Sequence, residues 1–183
     1  IVLADFNNDG MKDIATVNYS GDNVSILLAA KVDSFYSEVL YDAGNGAYDL
    51  AEGDFNNDSI LDLVVSNYID DDISVLLGIG DGTFSPKVDY VSGNGPRGIV
   101  VGQFNNDSLL DIAVSMDLED KIAIFLGTGN GAFAPKVNYI TGDRPHDMLI
   151  GLITHDTIPD LITVNRSDDN ISLLAGNGDG SFQ

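Results

Sequence analysis

The chain has 183 residues, enough for a sizeable core, and carries 29 acidic against 8 basic residues for a formal net charge of −21. It has no cysteine, which excludes a disulfide framework and thiolate metal sites. An acidic surface of this size repels phosphate backbones and anionic membranes, so nucleic acid is not an expected partner. No apolar run approaches the roughly 20 residues needed to cross a bilayer, and direct membrane insertion is not expected. The 44% hydrophobic content, set in regular short runs, argues against disorder.

Taken in order, the chain writes one unit four times, over about 1–46, 47–95, 96–144 and 145–183. Each unit opens on a short apolar run: Ile1-Val2-Leu3, then Asp49-Leu50-Ala51, Gly98 to Val101, and Asp147 to Ile150. A nine-residue acidic loop follows. Its clearest copy is Asp54-Phe55-Asn56-Asn57-Asp58-Ser59-Ile60-Leu61-Asp62, matched by Asp5 to Asp13, by Gln103 to Asp111, and by the worn Leu152 to Asp160. The closing aspartates Asp13, Asp62, Asp111 and Asp160 stand 49 residues apart. A second apolar run leaves each loop (Ile14 to Val17, Leu63 to Val65, Ile112 to Val114, Leu161 to Val164), and a third follows a polar turn (Val24 to Leu28, Ile73 to Leu77, Ile122 to Leu126, Ile171 to Leu174). Such short runs of β-formers between turn residues read as buried strands.

The third run ends in a glycine-rich hairpin signal, Gly78 to Phe84, Gly127 to Phe133 and Gly176 to Phe182, decayed in the first unit to Ala29 to Phe35. A more polar fourth strand, Lys87 to Val91 or Lys136 to Ile140, reads as an outer edge, with Pro96 and Pro145 in the link to the next unit. The fold class expected is therefore all-β. Four-stranded antiparallel meanders cannot bury both faces alone, and radial stacking makes them blades of a β-propeller. Because Ile1 already lies inside a repeat, with no signal peptide before it, the chain is read as an excerpt of a longer or processed protein.

The loop Asp-Phe-Asn-Asn-Asp-(Gly/Ser)-x-x-Asp, followed by Leu-Leu-Gly-x-Gly-(Asp/Asn)-Gly-x-Phe, closely resembles the FG-GAP/VCBS repeat family, whose repeats build integrin α-subunit propellers and related surface proteins. The resemblance implies a ring of about seven blades with calcium in the loops joining first and second strands, and hence further blades from the parent chain or an assembly.

The residues support calcium on their own terms. Calcium takes six to eight hard oxygens, including a backbone carbonyl. The first loop offers Asp5, Asn7, Asp9, the Met11 carbonyl and Asp13; the second Asp54, Asn56, Asp58, the Ile60 carbonyl and Asp62; the third Gln103, Asn105, Asp107, the Leu109 carbonyl and Asp111. The competing reading is a set of ordinary Asx turns. Carboxylates converging to about 4–5 Å repel by roughly 3–4 kcal/mol per pair at an effective dielectric of 20, which favours a cation in the first two loops. With Leu152 and Thr154 in place of ligands, the fourth loop (Asp156, Asp160) is expected to be empty or weak. Ser59, Ser108 and Thr157 replace Gly10 at the sharp turn, at some conformational cost.

His146 and His155, the two histidines, read as surface loop residues, and no catalytic arrangement is suggested around them, so no enzyme is expected. Tyr41, Tyr90 and Tyr139 recur at one position and read as packing residues. Asn18, Asn23, Asn57, Asn106, Asn165 and Asn170 each begin an Asn-x-Ser sequon, and a glycan at the outward Asn57 and Asn106 is sterically conceivable. Together these readings give an extracellular or cell-surface, calcium-stabilised module whose partner is a protein or glycan ligand, with a carbohydrate-binding propeller, or the non-catalytic part of a polysaccharide-active enzyme, as the alternatives.

Overall fold

The computed structural model describes residues 1–31 and 34–183. Val32 and Asp33, inside the decayed hairpin of the first unit, lie outside the described residues. The described residues form strands and turns with no helix. In the first sheet β1 (Val2–Ala4), β2 (Asp13–Asn18), β3 (Asn23–Leu27) and β6 (Val39–Asp42) lie in that order. Between β3 and β6 a small ribbon pairs β4 (Ala29–Lys31) with β5 (Ser34–Phe35). The second sheet is β7 (Ala47–Gly53), β8 (Asp62–Asn67), β9 (Asp72–Leu76) and β10 (Val88–Val91); the third is β11 (Pro96–Gly102), β12 (Asp111–Met116), β13 (Lys121–Phe125) and β14 (Val137–Ile140). The fourth has three strands, β15 (Pro145–Gly151), β16 (Asp160–Asn165) and β17 (Asn170–Leu174). All pairings are antiparallel.

The first strand of each unit is the inner one: β11 packs beside both β7 and β15, and β7 also meets β1 and β2. Fourth strands β6, β10 and β14 are outermost and mostly exposed, as their mixed composition predicts. Pro96 and Pro145 are not in linkers, as the sequence reading had them. Each is the first residue of an inner strand, a position where a missing N–H removes no ladder bond.

Three core layers lie between the four sheets. Leu63 and Val65 of β8 face the first sheet with Val24, Ile26 and Phe84, whereas Val64 between them faces Val114, Ile112 and Phe125 of the third. The third layer joins Ala113, Ile122 and Ile124 to Leu161, Leu174 and Met148. This explains why β8 and β12 are apolar without alternation and buried along their whole length: both faces of the strand are covered. Each such side chain contributes roughly 1.5–3 kcal/mol of burial.

The two sequence motifs meet at the seams between sheets. The loop phenylalanines Phe6, Phe55 and Phe104 stand edge-on to the hairpin phenylalanines Phe84, Phe133 and Phe182 of the following sheet, with centroids 5.7, 5.7 and 5.5 Å apart. Tyr41, Tyr90 and Tyr139 pack edge-on against the same three rings at 5.3, 5.5 and 5.6 Å. The packing role read for these tyrosines is thus the one they have. Hydrogen bonds from Gly131 N to Phe55 O (3.0 Å) and from Gly180 N to Phe104 O (2.9 Å) close two of the seams.

Candidate functional site

Each acidic loop turns on itself through side-chain oxygens that accept backbone N–H groups. In the second loop Asp54 Oδ1 and Asn56 Oδ1 both accept from Asp58 N, at 3.1 and 3.0 Å. Asp54 Oδ2 accepts from Ser59 N and Asp58 Oδ1 from Ile60 N, each at 2.8 Å. The first loop repeats the pattern with Asp5, Asn7 and Asp9. In the third, Asn105 and Asp107 keep their contacts to Asp107 N and Leu109 N, while Gln103 is exposed. Two residues per loop are left-handed: Asn8 and Gly10 (φ 57° and 85°), Asn57 and Ser59 (60° and 67°), Asn106 and Ser108 (59° and 69°). The cost foreseen for Ser59 and Ser108 is therefore real, whereas Thr157, read with them from the sequence, does not have a positive φ and does not bear it. In the fourth loop His155 takes the first of these positions (φ 67°). Asp156 retains one contact, to Ile158 N.

The closing aspartate does a different job. Asp62 is buried, and its Oδ2 accepts from Phe55 N and its Oδ1 from Gly78 N, both at 2.8 Å. Asp13, Asp111 and Asp160 tie the second loop residue to the start of the hairpin in the same way. Burial pushes the Asp62 carboxyl up to about 6, with Asp58 and Asp54 adding to it against the pull of the two amides. Burial also raises Asp111, with Asp107 adding to it. For Asp160 burial is outweighed by the amides of Gly176, Thr154 and Ile153, which hold it below its ordinary 3.8.

All loop donors are hard oxygens, which suits calcium over a transition metal. Asp54 and Asn56 gather around the Asp58 amide, and the Asp58 side chain folds back onto the amide of Ile60. Against this, the fifth-position amide already satisfies two of the oxygens and the ninth-position carboxylate is drawn inward as a strap. No group of three or more His, Cys, Asp or Glu is placed to hold an ion among the described residues. The donor chemistry fits a divalent cation.

A second constellation, which the sequence reading missed, lies at the opposite end of the inner strands. Tyr48, Arg97 and His146 are the second residues of β7, β11 and β15, each 49 residues from the next. Ser66 Oγ donates to Arg97 O and Ser115 Oγ to His146 O, fixing the backbone of each from the preceding sheet. The three side chains converge: His146 Nε2 is 3.0 Å from the Tyr48 hydroxyl and 3.2 Å from Arg97 Nη1. Arginine can only donate, so Nε2 is the acceptor and the ring is neutral with its proton on Nδ1. Burial and the Arg97 charge hold this imidazole below its ordinary 6.5.

Arg97 Cζ lies 4.6 Å from the ring centroids of both Tyr48 and Tyr68. Its Nε is 3.3 Å from the fully buried Asp117 but off-line, an ion pair without a hydrogen bond. Arg144 supplies the bonds instead, Nη2 and Nε reaching Asp117 at 2.8 and 3.3 Å. Burial works against the Asp117 charge, but Arg144 and Arg97 win and hold its carboxyl below the usual range. His146 is thus a half-buried strand residue, not the surface loop residue read from sequence; His155 is exposed. The spacing of 49, and the presence of all three arginines (97, 144 and 166) in the last two units, were the available signals.

Four sequon asparagines use the nitrogen a glycan would occupy. Nδ2 of Asn18, Asn23, Asn106 and Asn165 donates to Asn23 Oδ1, Gly21 O, Gly178 O and Asn170 Oδ1. The Asn106 bond, 2.8 Å, spans a seam, so a glycan there would break it.

Stacked antiparallel sheets, three of them four-stranded, clasped at each seam by an acidic loop, define a repeat protein of propeller-like blades. The chain belongs to the FG-GAP-like repeat family, whose profile matches residues 5–65 and 54–114. No curated protein matches the chain. Among solved structures it is similar to a putative 6-phosphogluconolactonase from Bacteroides uniformis (TM-score 0.70, 18% identity, covering 99% of this chain and 52% of that one). It is also similar to BBS1N in complex with ARL6DN (0.67, 13%, 100% and 54%) and to an Agrocybe aegerita lectin that recognises non-reducing terminal N-acetylglucosamine (0.65, 19%, 99% and 50%). These neighbours are β-propeller-like and share the fold; the chain spans about half the length of each.

Proposed function

We propose that the chain is a non-enzymatic recognition module, a segment of a ring of about seven blades whose acidic loops hold structural calcium. The carrying observation is the repeated gathering of Asp and Asn oxygens in the loops at each seam, four to eight positions before a buried strap that ties the loop to its own hairpin. Asp5, Asn7, Asp9, Met11 O and Asp13 would hold one ion; Asp54, Asn56, Asp58, Ile60 O and Asp62 a second; Gln103, Asn105, Asp107, Leu109 O and Asp111 a weaker third. The ion would neutralise the loop charge and stiffen the seam. Sites of this kind fill at about 0.1–1 mM calcium, which supports a role outside the cell, in adhesion or ligand recognition.

Further blades are supported by the end faces. Ile171 and Leu173 of β17 are 61% and 46% exposed, whereas Ile122 and Ile124 at the same positions of β13 are buried. Thermal melts in calcium and in chelator test the ion: a rise in Tm of several degrees with calcium is expected, and superimposable melts would overturn it. Carbohydrate binding is the second reading, favoured by the Tyr, His and Asp side chains gathered beside Arg97.

A further inference from the structure

Between the second and fourth sheets, beside the Tyr48–His146 contact, lies a cavity of about 180 Å³ lined by Tyr48, Asp49, Gly98, His146 and Asp147. Asp49, Gly98 and Asp147 occupy one register position of three successive inner strands, directly after Tyr48, Arg97 and His146. The middle member has no side chain. A Cβ on Gly98 would stand 2.7 Å from His146 O, so the glycine both lets the strands approach and leaves the opening between the two aspartates. Asp49 Oδ1 and Oδ2 accept from Leu50 N and Ile99 N, and Asp147 Oδ1 accepts from Met148 N, which fixes both carboxylates at the wall with acceptor capacity to spare.

The lining selects among ligand classes. An anion would face Asp49 and Asp147, while the charge of Arg97 is already taken up by Asp117 and the two tyrosine faces. A metal ion needs at least three converging donors, whereas His146 Nε2 is already engaged by Tyr48 and Arg97, which leaves two carboxylates that each already accept backbone N–H groups. An apolar ligand would find one apolar wall, the Tyr48 ring. A neutral molecule rich in hydroxyl donors satisfies the carboxylates and suits that ring. The volume lies below the roughly 300–1,000 Å³ of pockets for larger ligands, which limits the occupant to a single ring. Two of the lining groups, Asp49 and His146, have shifted titration through burial, which is common at binding sites.

We infer that this cavity binds one neutral, polyhydroxylated ring of monosaccharide size, with Asp49 and Asp147 accepting from ligand hydroxyls and Tyr48 flanking the ring. The assignment rests on the carbohydrate reading above and gives it a place. It is tested by saturation-transfer NMR and calorimetry of the whole chain with glucose, galactose, mannose and N-acetylglucosamine, with glucuronate as the anionic control. Binding of at least one neutral sugar in the millimolar range is expected, with glucuronate weaker. Asp147→Leu, at an exposed position, should weaken it roughly tenfold or more, whereas Ile171→Ser on the far end face should not. Sugar binding that survives Asp147→Leu and Tyr48→Ala unchanged would keep the carbohydrate reading and overturn this site. Absence of binding by all four sugars would overturn both, leaving the calcium melts as the separate test of the module.

Discussion

Phe55 of the second sheet and Phe133 of the third meet edge-on, 5.7 Å between centroids, while Gly131 N, two residues before Phe133, donates to Phe55 O. A ring from one motif and a ring from the other, in different units, are one contact. Phe55 is buried, so Phe55→Ala should cost about 3–5 kcal/mol, measured by urea denaturation. Phe133→Leu should cost less, because leucine still fills the space, although both edge-on contacts, to Phe55 and to Tyr90, are lost.

The closing aspartates give a sharper comparison. Asp62→Asn turns one acceptor into a donor facing a buried N–H, and about 1–3 kcal/mol should be lost. Asp160→Asn, in a loop with Leu152 and Thr154 at its first and third positions, should cost as much in chelator as in calcium. A neutral Asp160→Asn would remove the strap role; a loss confined to calcium-loaded protein would make these residues ligands only.

Ser59 and Ser108 sit at φ 67° and 69°, where glycine is unstrained. Ser59→Gly should raise stability by roughly 0.5–1 kcal/mol, and Gly10→Ser should lower it similarly. Paired thermal melts in chelator check this independently of any ion.

The His146 imidazole, held neutral by burial and by Arg97, is depressed in the folded chain relative to 6.5. Its contribution is fully present above 6.5 and is lost as pH falls from there toward the folded value, because the unfolded chain binds the proton first. Wild type minus His146→Gln, compared between pH 7.5 and 5.5, should show this loss. The same slope in both proteins would contradict it.

Much of this was legible because the unit is written four times. The 49-residue period gave the strands, and the alternation of inner and outer runs gave their order. The strap role of the ninth position was not read from the sequence, although Asp160 persists where Leu152 and Thr154 stand at the first and third positions, a sign that the ninth position serves the fold. Tyr48, Arg97 and His146 escaped because three unlike residues at one register position make no motif; convergence of the inner strands brings them together.

The seams have a direction. Each of the first three acidic loops reaches forward, to the hairpin of the sheet that follows it in sequence, so the first three sheets each grip their successor. Order should therefore propagate along the array like a zip with distinct leading and trailing teeth: removing the first unit strips the cover from Phe84, whereas removing the last leaves Phe104 reaching for a ring that is gone.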